Sequence, residues 1–240
     1  MEGHRLEAAV QAGIDEAGRG PVLGPLVVAG VAIEDPAVLK EMGCRDSKAL
    51  SPAKREALDR LIRREPGVRV EVRSIAAETL DHERTRRSLN DIEADRFREI
   101  ALALGPKHLF VDACDVDAKR FGKTVSRGLP RGTKVVSEHK ADDSYPIVGA
   151  ASIVAKVARD AAVAELAKRL ERKLDQAMPL GSGYASDDRT RLFLQAWHAK
   201  FGDLPDGTRR SWAPMRELLA PRAASLDEFE PALQPVIKGK

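Results

Sequence analysis

Cysteine is scarce in this sequence, with only Cys44 and Cys114 among 240 residues. Two thiols in a chain of this length favour a reducing compartment over a disulfide scaffold. Apolar runs are also short, and no stretch of about 18 apolar residues is available for a transmembrane helix. The opening segment MEGHRLEAAV is charged and lacks the apolar stretch of a signal peptide. We therefore expect a soluble, cytoplasmic protein that does not contact the membrane.

Histidine is rare as well: the five His residues show no metal-type spacing, which argues against a zinc cage. No internal repeat is present. Hydrophobic residues make up 43% of the chain, which is enough for a substantial globular core. Lys and Arg outnumber Asp and Glu by 40 to 37, and the resulting net charge of +3 is a mild indication of a polyanionic partner.

Apolar runs of strand length alternate with segments of helical periodicity, a pattern typical of an α/β fold. The expected strands are 10–15, 26–33, 68–74, 108–111 and 134–137, and the expected helices are 52–64, 88–104, a long one from Pro146, 189–200 and 214–219. We expect a core over 1–178, a C-terminal helical part of the same unit over 179–220, and a flexible tail over 221–240.

Four acids lie where strands end or helices begin: Asp15, Glu16, Asp112 and Asp142. Successive side chains of a strand point to opposite faces, so Asp15 and Glu16 share a site only if the chain bends there. Gly18 makes such a bend plausible. Asp142 precedes the longest helix, where the helix dipole favours a carboxylate, although a simple capping role is the alternative.

The loop Gly18-Arg19-Gly20 follows the first two acids and is too rich in glycine for regular structure. Its small residues let the backbone approach a ligand closely, and Arg19 places a guanidinium beside the acids. The alternative is a tight turn that carries an exposed arginine.

These residues belong to a longer pattern: GIDEAGRGPVLGP (13–25) resembles the opening signature of type 2 ribonucleases H. Later segments resemble further motifs of that family in the same order, over about residues 10 to 215. They are Asp46-Ser47-Lys48, Leu109-Phe110-Val111-Asp112-Ala113, HKADDSYPIVGAASIVAKVARD (139–160) and Gly181-Ser182-Gly183-Tyr184. Residues 182–187 and Arg210-Ser211-Trp212 resemble the archaeal and eukaryotic branch more than the bacterial one.

The resemblance implies a ribonuclease H-like fold, with a mixed central sheet, helices on both faces and the acids at the centre of the sheet. It assigns the metal-binding and catalytic carboxylates to Asp15, Glu16, Asp112 and Asp142, with Asp143 as a second choice for the last. Two Mg²⁺ or Mn²⁺ ions are the implied cofactors, and such hard cations suit carboxylate oxygens.

The same resemblance assigns recognition of the ribonucleotide to Gly18, Arg19, Gly20 and Tyr184. A 2′-hydroxyl both donates and accepts, so exposed backbone groups can recognise it. The expected phosphate contacts are Lys48, Ser152 and Lys156, the last two sharing a helix face. The alternatives are that Tyr184 serves only packing and that Ser152 lies on a solvated side of its helix.

The implied activity is an endonuclease that hydrolyses RNA in RNA/DNA hybrids and cuts 5′ of ribonucleotides embedded in DNA, leaving 3′-OH and 5′-phosphate ends. We expect it to act as a monomer. Rival interpretations are a resolvase-like DNA nuclease, a non-catalytic hybrid-binding module, and a type 3 ribonuclease H. The type 3 enzyme carries an extra N-terminal domain, whereas 14 residues precede Asp15 here.

Residues 223–230 have the frame of a sliding-clamp ligand, with Leu226 and Phe229 at its aliphatic and first aromatic positions. Ala223 and Glu230 depart from that motif, since it has Gln and a second aromatic there. The competing interpretation is a tail that is disordered or packs back on the body.

Overall fold

Five strands and eight helices form the described part of the chain, residues 9–44, 50–174 and 177–215 of a computed structural model. The strands are β1 (Gln11–Ala17), β2 (Leu26–Ile33), β3 (Arg69–Ile75), β4 (His108–Asp112) and β5 (Lys134–Glu138). The helices are α1 (Ala37–Glu41), α2 (Pro52–Arg64), α3 (Ala77–Glu83), α4 (Leu89–Leu104), α5 (Ala118–Val125), α6 (Ala141–Ser144), α7 (Pro146–Glu171) and α8 (Asp188–Phe201).

The strands form one mixed sheet in the order β3-β2-β1-β4-β5. β1 pairs antiparallel with β2 and parallel with β4, so it lies at the centre. β2 is buried at every position, as its continuous apolar run predicts for a strand covered on both faces. The parallel register of β1 and β4 ends at Ile14↔Val111, one residue before Asp15 and Asp112.

Helices cover both faces of the sheet, as predicted. α1, α2 and α7 pack on one face, and α4 and α5 pack on the other. α7 lies unusually close to β1, because a Cβ built on Gly13 would be 2.4 Å from the carbonyl carbon of Ile147. This contact fixes the depth at which α7 crosses the central strand.

Residues from the C-terminal part form a third apolar cluster around α8. Phe193, Leu194 and Trp197 pack with residues of the loop that follows β1, including Val22 and Leu23. The backbone amides of both loop residues donate to the carbonyl oxygen of Gly183. The described C-terminal part is therefore attached directly to the loop between β1 and β2.

Several elements differ from the sequence-based expectation. The short helices α1, α3 and α6 were not predicted, because four to seven residues carry too little periodicity to distinguish them from turns. β1 continues in regular pairing to Ala17, so the chain does not bend at the two acids. The chain turns one residue later at Gly18, whose φ is +90°. The charges of Asp15 and Asp112 nevertheless both act on Glu16, so the condition that Asp15 and Glu16 share a site only at a bend is wrong. Residues 221–240, Lys48 and most of the predicted helix 214–219 lie outside the described residues.

Candidate active site

Asp15 and Glu16 point to opposite faces of β1, as the period of a strand requires. Asp15 is 3% exposed and faces α7, where the Ser152 hydroxyl donates to its carboxylate. Lys156 lies one turn along the helix and its ammonium donates to Ser152 Oγ at 2.5 Å. Ser152 is fully buried, so the alternative of a solvated helix side is wrong. A relay of hydrogen bonds thus runs from Lys156 through Ser152 to Asp15.

Asp112 and Asp142 approach from the neighbouring elements β4 and α6. Asp112 Oδ1 accepts a 2.9 Å hydrogen bond from the backbone amide of Ala141, which fixes the end of β4 against the start of α6. Asp142 is 1% exposed, whereas Asp143 lies in solvent. The capping alternative for Asp142 is wrong, because the N-cap of α7 is Tyr145.

The electrostatics of the acids reflect their crowding. Burial raises the pKa of Glu16 well above its usual value, and the charges of Asp15, Glu93 and Asp112 raise it further. Burial also raises the pKa of Asp15, while Lys156 and the Ser152 hydrogen bond lower it and Asp142 raises it. Asp112 and Asp142 therefore each act on one of the two acids of β1.

Glu93 is a component of the site that the sequence did not identify. It projects from α4 with no exposed surface, and one carboxylate oxygen lies 2.5 Å from the Arg19 guanidinium. Burial raises the pKa of Glu93 to about 7, against the lowering effect of Arg19. The ligand atoms of Glu16, Glu93 and Cys114 lie within 4.8 Å of one another. Glu16 therefore turns towards this pair on the α4 face, while Asp15 faces α7.

Cys114 packs against the apolar cluster on the α4 face of the sheet and also borders the acidic site. It is partly buried and contacts Glu93 and Glu16. Burial and both carboxylates raise the pKa of its thiol well above the usual value, which keeps it protonated at neutral pH. Cys114 thus offers a neutral hydrogen-bond donor to Glu93 rather than a thiolate.

The predicted recognition residues also come together. A Cβ built on Gly20 would lie 3.5 Å from the Tyr184 ring, and that ring is 39% exposed. The guanidinium of Arg159, a second residue absent from the prediction, lies 5.2 Å from the centre of the ring and donates to the carbonyl of Ser182. Arg19 is not an exposed turn arginine, because Glu93 and Asn90 hold its side chain.

Divalent cations fit this arrangement of acids. Carboxylate oxygens are the ligands that Mg²⁺ and Mn²⁺ prefer. Glu16 Oε2 is buried and accepts no hydrogen bond from the described residues. A cation would relieve the repulsion that raises the pKa values of Asp15 and Glu16.

Two solved structures with the same fold define the class of the protein. The ribonuclease H2 of Pyrococcus horikoshii superimposes with a TM-score of 0.77 at 37% identity, covering 87% of this chain and 96% of that one. The PCNA:RNase HII complex of Archaeoglobus fulgidus gives 0.77 at 42% identity, covering 91% and 100%. The mixed sheet with its central acids is thus the ribonuclease H-like fold, as expected.

Sequence comparison gives the family. The pattern described as Ribonuclease HII matches residues 12–215. The Ribonuclease HII of Archaeoglobus fulgidus is 42% identical over 220 residues, which cover 92% of this chain and the whole of the relative. The chain belongs to the ribonuclease HII family of endoribonucleases. This membership implies a divalent metal ion. None of the described helices is both long and apolar enough to cross a bilayer.

Proposed function

We propose that the protein hydrolyses the RNA strand of RNA/DNA hybrids and cuts on the 5′ side of single ribonucleotides in duplex DNA. The products are 3′-OH and 5′-phosphate ends. The observation that carries this proposal is the position of the glycine-rich loop: it directly continues the strand that bears Asp15 and Glu16, and it lies beside the exposed ring of Tyr184. Groups suited to a ribose and groups suited to phosphodiester hydrolysis are therefore a few residues apart.

Asp15, Glu16, Asp112 and Asp142 are the proposed ligands of two Mg²⁺ or Mn²⁺ ions. When bound, such a pair activates a water and stabilises the charge on the attacking and leaving oxygens. The burial of Asp142 and the exposure of Asp143 support the choice between these neighbours. The hydrogen bonds from Ser152 to Asp15 and from Ala141 to Asp112 orient two of the four carboxylates before substrate binds.

Substrate contacts follow from the exposed groups around the acids. The backbone of Gly18, Arg19 and Gly20 is proposed to meet the ribose, since the Arg19 side chain is already held by α4. Tyr184 is proposed to stack at the ribonucleotide, and its exposure favours this role over packing. Lys156 is proposed to bind a backbone phosphate near Asp15, which positions the duplex without reading its sequence. The predicted phosphate contact of Ser152 is not part of this proposal, because its side chain is fully buried and its one hydroxyl proton is donated to Asp15.

Other parts of the proposal concern regions outside this site. The phosphate contact of Lys48 and the clamp contact of residues 223–230 fall outside the described residues and stay predictions. The PCNA complex is a property of the Archaeoglobus fulgidus relative, and it supports testing the clamp contact here. The monomeric state, the cytoplasmic location and the division at residues 178 and 220 are likewise proposals.

Three duplexes of one sequence test the function. The strands to compare are all DNA, DNA with one ribonucleotide, and RNA paired with DNA, each incubated with protein and Mg²⁺ or with EDTA. In Mg²⁺ we expect cleavage of the duplex with one ribonucleotide and of the RNA/DNA hybrid, and in EDTA we expect no cleavage. Cutting of the all-DNA duplex would instead support the resolvase-like alternative, and binding without any cutting would support the non-catalytic module.

Tyr184→Ala tests the recognition contact on the same duplexes. We expect it to reduce cleavage at a single ribonucleotide more than it reduces duplex binding, because phosphate contacts dominate affinity. Phe201→Ala is the matched control, since Phe201 on α8 is an aromatic of similar exposure, 44%. Equal losses of cleavage and binding in the Tyr184 variant would show that the ring serves packing alone.

A further inference from the structure

A buried arginine lies beneath the glycine-rich loop. Arg209 has no exposed surface, and its guanidinium donates to two loop carbonyls: Nε to Gly24 at 3.0 Å and Nη1 to Arg19 at 3.1 Å. The Trp212 indole also donates to the Arg19 carbonyl, at 3.3 Å. Two side chains from the C-terminal part therefore converge on the carbonyl between the two glycines.

Keeping Arg209 in this place is unfavourable in itself. Burial and the nearby charge of Arg159 together lower its pKa to about 10, yet the group stays charged at neutral pH. Its Nη2 has no hydrogen-bond partner among the described residues. None of the described carboxylates forms an ion pair with Arg209, although the charges of Asp81 and Glu93 favour its charged form. Burying a cation in this way is unfavourable, so packing alone is a poor reason for it. The stacked Trp212 ring, 4.9 Å from the guanidinium carbon, offsets part of that cost.

The hydrogen bonds to the Arg19 carbonyl determine where the next amide points. The peptide that joins Arg19 to Gly20 is trans, since the described segments contain no cis bond, and it is planar. In a planar trans peptide the C=O and N–H groups point in opposite directions. The Gly20 N–H therefore points away from Arg209 and Trp212, and the Gly20 α-carbon lies beside the Tyr184 ring. No acceptor for this N–H occurs among the described residues.

The Arg19 side chain is fixed independently of its carbonyl. Glu93 binds one nitrogen of the guanidinium at 2.5 Å, and Asn90 binds the other at 2.6 Å. The side chain is thus held by α4 and the carbonyl by the C-terminal part. Rotation of the Arg19–Gly20 peptide would break the hydrogen bonds from Arg209 and Trp212, while the bound side chain holds the Arg19 α-carbon in place. The orientation of this peptide is therefore a property of the fold before any ligand binds.

We propose that Arg209 and Trp212 are positioning residues for ribose recognition: they hold the Arg19–Gly20 peptide so that the Gly20 N–H is presented to the 2′-hydroxyl of a ribonucleotide. This inference rests on the function proposed above. It attributes part of the discrimination between ribonucleotide and DNA to Arg209 and Trp212, whose side chains lie beneath the glycine-rich loop and not on its outer surface.

The test compares affinities for two duplexes that differ by one 2′-hydroxyl, an all-DNA duplex and its single-ribonucleotide counterpart. Ca²⁺ replaces Mg²⁺, and a gel verifies that the substrate stays intact. The quantity measured is the discrimination ratio, the Kd for DNA divided by the Kd for the ribonucleotide duplex. Trp212→Phe removes the indole donor and keeps a ring, and Arg209→Lys keeps the charge but loses the fork. Arg210→Lys is the matched control, because Arg210 is exposed and paired with Asp203.

We expect Trp212→Phe to lower the ratio about fivefold, the effect of one hydrogen bond, and Arg209→Lys up to about twenty-fivefold, the effect of two. The affinity for the all-DNA duplex should stay within about twofold, and Arg210→Lys should retain the wild-type ratio. If Arg209→Lys fails to fold, the Trp212→Phe result decides. Folded variants that discriminate as well as wild type overturn this inference alone. A wild-type protein with no discrimination overturns the proposed function as well.

Discussion

Replacing Glu16 with Gln tests the effect of this carboxylate on stability separately from its effect on activity. The carboxylate is buried, and the charges of Asp15, Glu93 and Asp112 repel it, whereas Arg19 attracts it. Gln has nearly the same shape but no charge. We therefore expect Glu16→Gln to stabilise the metal-free protein while it removes activity, a combination that a residue serving only the fold would not give.

The expected gain follows from one contact. The ligand atoms of Glu16 and Glu93 lie within 4.8 Å of each other. Two unit charges at that separation repel by about 3 kcal/mol when the effective dielectric constant is about 20. The lost attraction to Arg19 reduces this gain, so the unfolding free energy should rise by about 1–3 kcal/mol at pH 8.

The pH dependence has a definite sign. The pKa of Glu16 is raised in the folded protein, so folding is favoured while the group is protonated. The unfolding free energy of wild type then falls as pH rises above the unfolded value of 4.5. The difference between variant and wild type should be smallest near pH 5 and largest near pH 8.

Urea unfolding in EDTA and in Mg²⁺ measures both parts of the prediction. Mg²⁺ at ten times its Kd should stabilise wild type by about 1.4 kcal/mol, and the variant should lose most of this response. Glu56→Gln, the same substitution at an exposed position of α2, should change neither quantity. A Glu16→Gln protein that is less stable in EDTA, or that responds to Mg²⁺ as wild type does, would refute the reasoning.

Substitutions elsewhere probe the fourth acid, a surface ion pair and the helix on the sheet. Asp142→Asn should lower the cleavage rate in a gel assay at least about a hundredfold, because it removes a proposed metal ligand. Asp143→Asn should change the rate less than about threefold. The reverse ranking would make Asp143 the ligand. Asp115→Asn should lower the unfolding free energy by about 1 kcal/mol at pH 7. Hydrogen bonds from Arg120 lower the pKa of Asp115 from 3.8 to about 2. The stability difference between wild type and variant, measured by urea titration, should therefore vanish as pH falls through that range. A difference that persists at pH 2 would contradict the pairing. Gly13→Ala should lower the unfolding free energy by about 1–3 kcal/mol, because its Cβ would overlap the α7 backbone. An unchanged Tm would contradict that packing.

Local patterns were sufficient for the parts of the site that lie next to each other in the chain. The continuous apolar run of β2 and the ends of β1 and β4 placed Asp15 and Asp112 correctly on the central strands. The relation of Ser152 to Lys156 followed from helical spacing alone. These features depend on periodicity within one element, which a single sequence displays.

The roles of Glu93 and Arg209 could not be predicted from such local patterns. Glu93 lies between Leu89 and Phe97 on the apolar stripe of α4. An acid at such a position is the one feature of the sequence that could have indicated a buried carboxylate. Its partner Arg19 is 74 residues away. Arg209 contacts carbonyls 185 and 190 residues away. Pairings of this kind depend on tertiary packing, which local spacing does not encode.

The most direct measurement is the position of the cut. A DNA duplex with one ribonucleotide, labelled at the 5′ end of that strand, is incubated with protein and Mg²⁺ and resolved at single-nucleotide length. We predict one product that ends at the deoxynucleotide before the ribonucleotide, with a 3′-OH that a DNA polymerase extends. Cleavage on the 3′ side, a product that cannot be extended, or equal cutting of an all-DNA duplex would contradict the proposed function.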